Sequence, residues 1–192
     1  MAKPEKKPIT TDEYFAMEET AEYKHEYYHG EIFAMTGASF NHNLIAGNIF
    51  ASCHESLHDS DCFVFMSDMR VQVDPAKHYA YPDMSIICGE IEFVDGRDDT
   101  LSNPIVIIEI LSESTRDYDR GSKFKAYRKI NSLKDYILVD QYSFYVEYFY
   151  KNEHGKWVLD EFDNLNDVIK IKSINLELSL NTIYDRVKLS EG

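Results

Sequence analysis

The chain is short of positive charge. Against 34 acidic residues it has 20 lysines and arginines, a formal net charge of -14. That balance excludes a protein that simply coats nucleic acid, because phosphate contacts need a basic surface. It does not exclude a nucleic-acid enzyme, whose carboxylates can be neutralised by metal ions. Cysteine is also scarce. Cys53, Cys62 and Cys88 make an odd number with no CxxC, so the expectation is reduced, mostly buried thiols in a cytosolic protein. The seven histidines form no zinc spacing. No apolar run approaches the length of a membrane span. The opening MAKPEKKPITTDEYF has basic residues but no apolar stretch behind them, so it does not read as a secretory signal, and a cytoplasmic location is expected. There are no internal repeats and no low-complexity segment.

What is present is a globular composition, 44% hydrophobic and 14% aromatic over 192 residues. That suits one domain with a real core. Residues 1–9 read as a flexible basic tail and 10–192 as a single domain. Thr10 with Glu13 forms a capping box for a short helix, TTDEYFAME. EYKHEYYHGEIFAM reads as strand, turn at His29-Gly30, strand. Leu44, Ile45, Ile49 and Leu57 predict a helix over about 41–58. CFVFMSDMRVQVD reads as one strand with a bend at Ser67-Asp68, with Met69, Val71 and Val73 alternating against Arg70 and Gln72. YPDMSIIC is a short strand, GEIEFVDGRDDT a loop, and PIVIIEIL a strand apolar on both faces. STRDYDRGSKFKAYRKI predicts a helix and DYILVD a buried strand. SFYVEYFYK and KWVLDEF flank NEHG as a hairpin, and DVIKIKSINLELSLNTIYDRV adds strand pieces and a last short helix. The central order of helix, three strands, helix, strand predicts an α/β (α+β) mixed sheet with helices on its faces.

Three features carry chemistry. Asp83 follows a proline at a strand entry. Glu109 stands inside PIVIIEILSEST, where an apolar residue belongs. Asp119, Lys123 and Tyr127 are spaced i, i+4, i+8 on one helix face. A carboxylate in a buried strand must meet a cation, meet donors, or take up a proton. Two carboxylates on neighbouring strands raise each other's pKa unless a cation lies between them. A hard divalent ion takes one or two carboxylates with water and phosphate oxygens, and a lysine beside it can orient water or stabilise developing charge. Each residue also has a plainer reading. Asp83 alone suits a turn or cap, Glu109 alone a core ion pair, and Asp119 with Lys123 an exposed pair worth about 0.5 kcal/mol or less. His42 at a helix start suits a cap or a site residue.

Pro82-Asp83, Glu109-Ile110-Leu111-Ser112, Asp119-x3-Lys123-x3-Tyr127 and Asp135-Tyr136-Ile137-Leu138-Val139-Asp140 together resemble the Uma2 family (DUF820). These are restriction endonuclease-like proteins of the PD-(D/E)XK nuclease superfamily. Tyr27-Tyr28-His29-Gly30-Glu31 and Ser67-Asp68-Met69-Arg70-Val71 fit the same pattern, and the resemblance runs from near Thr11 to the final YDRV. It implies a restriction endonuclease-like αβββαβ core with a mixed sheet, plus an N-terminal helix and hairpin and a C-terminal β-hairpin. It also implies a Mg2+-dependent (Mn2+ as the other candidate) endonuclease hydrolysing DNA phosphodiester bonds. Asp83, Glu109 and the backbone carbonyl of Ile110 would hold the metal, and Lys123 would complete the catalytic set. Glu31, His42, Asp119 and Tyr127 would form a second tier. The superfamily lysine two residues after the glutamate is Leu111 here, so Lys123 must reach back from the helix. Lys125 is its near competitor, but points about 200° around the helix. The alternative is a catalytically weak or inactive nuclease-fold module that binds nucleic acid or protein. Expected partners are DNA and, given the aromatic C-terminal hairpin, a second copy of the chain, with no membrane.

Overall fold

A computed structural model describes residues 7–35 and 37–189. Part of the expected tail, residues 1–6, lies outside the described residues. Ile9 donates its backbone NH to the Gly30 carbonyl, so the chain is already laid against the first hairpin there. The expected capping box is present at Thr10 and Glu13, opening helix α1 (Thr11–Glu18). Strands β1 (His25–Tyr28) and β2 (Glu31–Ala34) follow. Both turn residues between them have positive φ, His29 at 49° and Gly30 at 89°. That is the two-residue geometry whose twist matches an antiparallel pair. A Cβ on Gly30 would meet Pro8 at 2.5 Å, so glycine is required twice over.

Helix α2 (Phe40–Ser56) is capped by the Ser39 hydroxyl. After it come β3 (Cys62–Met66), β4 (Arg70–Asp74), β5 (His78–Ala80), β6 (Met84–Cys88), β7 (Thr100–Leu101) and β8 (Val106–Leu111). The crossover helix has three parts: α3 (Arg116–Tyr118), a π-helical stretch (Asp119–Lys123) and α4 (Phe124–Tyr127). Then come β9 (Asp135–Asp140), β10 (Val146–Lys151), β11 (Trp157–Phe162), β12 (Val168–Ile171), β13 (Leu176–Ser179) and α5 (Leu180–Ile183).

One sheet runs β11-β10-β9-β8-β6-β3 and is mixed, since β8 and β9 are parallel and the other pairs antiparallel. Its α2-β3-β6-β8-helix-β9 order is the αβββαβ core. A second sheet runs β2-β1-β5-β4-β7. The CFVFMSDMRVQVD stretch is therefore not one bent strand. It breaks at Ser67-Asp68, where Lys24 binds the Ser67 carbonyl (2.9 Å) and the Asp68 carboxylate (2.8 Å), and its two halves enter different sheets. The loop GEIEFVDGRDDT also contributes the short β7.

The layering follows from strand alternation. On one face of the six-stranded sheet, Met84, Ile86, Ile108 and Ile110 pack against Ile45, Ile49 and Cys53 of α2 and against β12 and β13. On the other face, Ile87, Ile107, Leu111, Tyr136 and Leu138 meet Phe124 and Tyr127 of α4 and the inner side of the second sheet. Each such branched side chain stabilises the fold by about 1.5–3 kcal/mol on burial. The outer side of the second sheet is covered by α1 through Tyr14, Tyr27 and Tyr79. That cover is why Arg70 is buried, although β4 alternation placed it opposite the apolar residues. Its guanidinium binds the Tyr81 hydroxyl and lies 5.3 Å from the centre of the Tyr14 ring. Among the described residues, no helix is long and apolar enough to cross a membrane.

The expectation of three reduced thiols is corrected. The β3–β6 register sets Cys62 directly opposite Cys88, and the two form a disulfide, leaving buried Cys53 free. Spacing along the chain carries no trace of this, because only the register brings the two together. Thiol titration of denatured protein is expected to give one thiol per chain before reduction and three after it. Three before reduction would refute the pairing.

Candidate active site

The site is built at the C-terminal end of β8. The β6–β8 register pairs Met84 with Ile108, so one step further Asp83 stands opposite Glu109. Residues opposite one another across an antiparallel pair project to the same face. Each backbone then serves the other strand's carboxylate. The Ile110 NH donates to Asp83 Oδ2 at 2.7 Å, and the Asp83 NH donates to Glu109 Oε2 at 3.4 Å.

Glu109 lies between Ile107 and Leu111 on the helix-facing side and is 4% exposed. The crossover helix supplies its cation. Lys123 Nζ is 2.8 Å from Glu109 Oε1, and the Tyr127 hydroxyl donates to the same oxygen at 2.9 Å. Asp119, one turn back, approaches Lys123 at 3.6 Å, and the Tyr136 hydroxyl donates to the Asp119 carbonyl. The expected face of Asp119, Lys123 and Tyr127 is thus realised, on a helix widened by its π-helical stretch. Such wide turns are frequent at functional sites. Leu111 is packed into the apolar cluster on the same side, so the nearby cation comes from the helix.

The second-tier residues divide. His42, near the start of α2, brings Nε2 to 3.2 Å from Asp83 Oδ1, and its buried Nδ1 has no partner among the described residues. Glu31 is exposed at the end of the first hairpin and enters no ion pair among the described residues. Its place is taken by Glu26, whose Oε1 is 3.1 Å from Lys123 Nζ and also accepts from the Tyr81 NH at 3.4 Å. Strand alternation alone puts Glu26 and Glu31 on the same face of the hairpin. The β1–β5 register separates them: Tyr27 pairs with Tyr79, so Glu26 falls opposite Ala80, three residues before Asp83.

The electrostatics are dominated by dehydration. Burial pushes the Glu109 carboxyl well above its ordinary range, against the pull of Lys123. Asp119 is raised for the same reason, again opposed by Lys123. Burial alone would lower the Lys123 pKa, but the carboxylates of Glu109 and Glu26 outweigh it and hold the ammonium charged. Burial likewise raises the Tyr127 hydroxyl, which therefore stays a donor. Glu109, Glu26 and Asp119 thus share one lysine, with Asp83 cross-strand from Glu109, an excess of carboxylates in a low-dielectric setting.

That excess suits a cation. The oxygens of Asp83 and Glu109, with the Ile110 carbonyl, are hard donors that could hold a divalent cation together with water. The one tight trio of metal-type side chains among the described residues lies elsewhere, at Asp61, Cys62 and Cys88. Its two sulfurs are bonded to each other, and a cysteine ligates a metal as the free thiolate.

The Uma2 family model, described as "Putative restriction endonuclease", matches residues 11–182. Two relatives from Synechocystis sp. (strain ATCC 27184 / PCC 6803 / Kazusa) are similar over most of their length. "Uncharacterized protein slr1290" is 34% identical over 180 residues, 92% of this chain and 91% of that protein. "Uncharacterized protein sll1609" is 35% identical over 170 residues, 88% of this chain and 96% of that protein. A crystal structure of "a putative nuclease belonging to DUF820" from Anabaena variabilis has the same fold. Its TM-score is 0.76 at 20% identity, over 92% of this chain and 98% of that one.

The charge arrangement separates two substitutions. A raised carboxyl pKa favours the fold below the unfolded value, and that benefit is lost as pH rises through the folded one. Glu109→Gln removes the penalised charge, so in EDTA at pH 8 its Tm is expected to equal or exceed that of the wild type. Lys123→Met leaves three carboxylates without their lysine and is expected to cost about 3–5 kcal/mol at pH 8, less as pH falls toward 5. Thermal melts across that range check this, and a Lys123→Met penalty independent of pH would contradict it.

Proposed function

The chain belongs to the Uma2 family, and on that premise we propose that it is a metal-dependent endonuclease hydrolysing phosphodiester bonds of DNA. The observation that carries the reading is the arrival of Lys123 from the crossover helix at Glu109, cross-strand from Asp83. Asp83, Glu109 and the Ile110 carbonyl would hold Mg2+ or Mn2+. When bound, the ion would supply charge neutralisation at the phosphate and a water more easily deprotonated.

The chain's own residues do the positioning. Tyr127 fixes one oxygen of Glu109 by donating to it, and the Asp83 NH lies against the other. His42 faces the outer oxygen of Asp83. Glu26 and Asp119 hold Lys123 from either side of Glu109 and keep its ammonium charged. A charged donor fixed in a dry site can orient the attacking water or stabilise charge on the scissile phosphate without reorganising during the reaction.

A second reading is favoured by the same contacts. Three carboxylates close around Lys123, which also describes a structural ion cluster in a nuclease fold that binds nucleic acid or protein with little or no catalysis. A homodimer fits either reading.

Incubation of plasmid DNA with Mg2+ or Mn2+ tests the proposal. Wild type is expected to nick or cut it. Asp83→Ala and Glu109→Gln are expected to be inactive, and Lys123→Met slower by about 10²–10³-fold, the scale for loss of one charge-stabilising donor. Calorimetry separates the readings: metal binding should vanish in Glu109→Gln and persist in Lys123→Met. Metal binding indifferent to Glu109→Gln, with no cleavage by wild type, would favour the module without catalysis.

A further inference from the structure

A cleft of about 230 Å³ lined by Asn41, Gln141, Tyr142 and Leu189 lies off the end of β9. Its floor is fixed. Gln141 is 2% exposed, donates to the Leu111 carbonyl at 2.8 Å and receives the Ser39 hydroxyl that caps α2. The cleft is therefore tied to β8 two residues beyond Glu109 and to the helix that carries His42. Tyr142 stands beside it, off the end of β9. Its hydroxyl accepts from the Glu113 NH, and its own NH is held by Asp140. Glu113 lies four positions beyond Glu109, at most about 14 Å of chain.

Tyr142, which lines the cleft, and Phe40, the chain neighbour of Asn41 that lines it, both keep exposed ring surface. Tyr142 is 48% exposed. Phe40, which opens α2 next to Asn41, is 76% exposed, more than any other large apolar side chain among the described residues. The Arg116 guanidinium lies 5.4 Å from the centre of the Tyr142 ring and enters no ion pair among the described residues. Nearby Arg120, by contrast, is committed to Glu147. A chain of net charge -14 cannot draw its affinity for a polynucleotide mainly from phosphate contacts. Stacking of bases on aromatic rings needs no net charge, but it needs bases whose faces are free. Within a duplex those faces are already stacked on each other.

Building on the nuclease reading, we propose that Tyr142 and Phe40 form a stacking surface for unpaired bases beside the carboxylate centre. Arg116 would take a phosphate of the same strand. The preferred substrate class is then single-stranded, frayed or flapped nucleic acid rather than intact duplex.

The test is fluorescence anisotropy of the full chain in Ca2+, with a labelled mixed-sequence 12-nucleotide DNA strand, the RNA strand of the same sequence, and the DNA duplex. At least one single strand is expected to bind ten or more times tighter than the duplex. Tyr142→Ala and Phe40→Ala should each weaken it about 5- to 100-fold; Tm should be unchanged for the exposed Phe40, and a melt of Tyr142→Ala controls for its half-buried ring and the bond from the Glu113 NH. Tyr142→Phe should retain binding, since the ring and not the hydroxyl is the stacking face. Equal affinity for strand and duplex, or alanine variants that bind like wild type, would overturn the proposal. The DNA and RNA arms show which strand supplies the bases, and binding of neither overturns it. Duplex cleavage at equal rates by wild type and Tyr142→Ala also overturns it while leaving the nuclease reading intact. Tyr142-dependent strand binding by a wild type that cleaves nothing supports the stacking surface and removes the nuclease reading.

Discussion

Glu109 and Lys123 meet 2.8 Å apart in a place that excludes water. The Glu109 charge would not be tolerated there without Lys123, whose loss leaves it buried and unpaired, whereas Lys123 keeps Glu26 and Asp119 as partners. The pair therefore constrains what surrounds it. β8 must present its fourth residue to the helix side, and the helix must turn Lys123 inward. The first hairpin must bring Glu26 to the remaining side of the ammonium. Tyr127 and Tyr136 supply the donors that complete the cluster. A layer of packed apolar side chains on the same face keeps the cluster dry.

This cluster joins the two sheets. Glu109 belongs to the six-stranded sheet, Glu26 to the five-stranded one, and Lys123 to the crossover helix between them. An ion network of this kind specifies an arrangement more than it adds stability, since dehydration offsets much of the Coulombic gain. Its surplus of carboxylates is unfavourable for the fold by itself and favourable for a cation. That opposition is common at functional sites, where local cost is retained for what it makes possible.

Much of the core was readable because periodicity reports burial. The four apolar residues before Glu109, the continuous apolar run in DYILVD and the capping box at Thr10 predict elements that the structure contains at nearly the same bounds. The face shared by Asp119, Lys123 and Tyr127 was readable for the same reason. Helical spacing survives even where the helix widens into a π-helical stretch. The family resemblance, with Leu111 at the usual lysine position, implied a lysine from the following helix, and Lys123 lies on the face that meets Glu109.

What the sequence by itself determined was therefore local: which segments are strands or helices, which side of each is apolar, and that one carboxylate in an apolar strand needs a cation, donors or a proton. Register and layering were decided only by the tertiary structure. They put Glu26 rather than Glu31 beside Lys123, and set Cys62 opposite Cys88. They also sent the two halves of one apparent strand into different sheets and buried Arg70 beneath α1. The physical reason is common to all four. A period of two or 3.6 residues fixes the direction of a side chain from its own backbone. Which distant strand lies across from it is set by the sum of many weak contacts along both strands, and a shift of one residue would reverse the result.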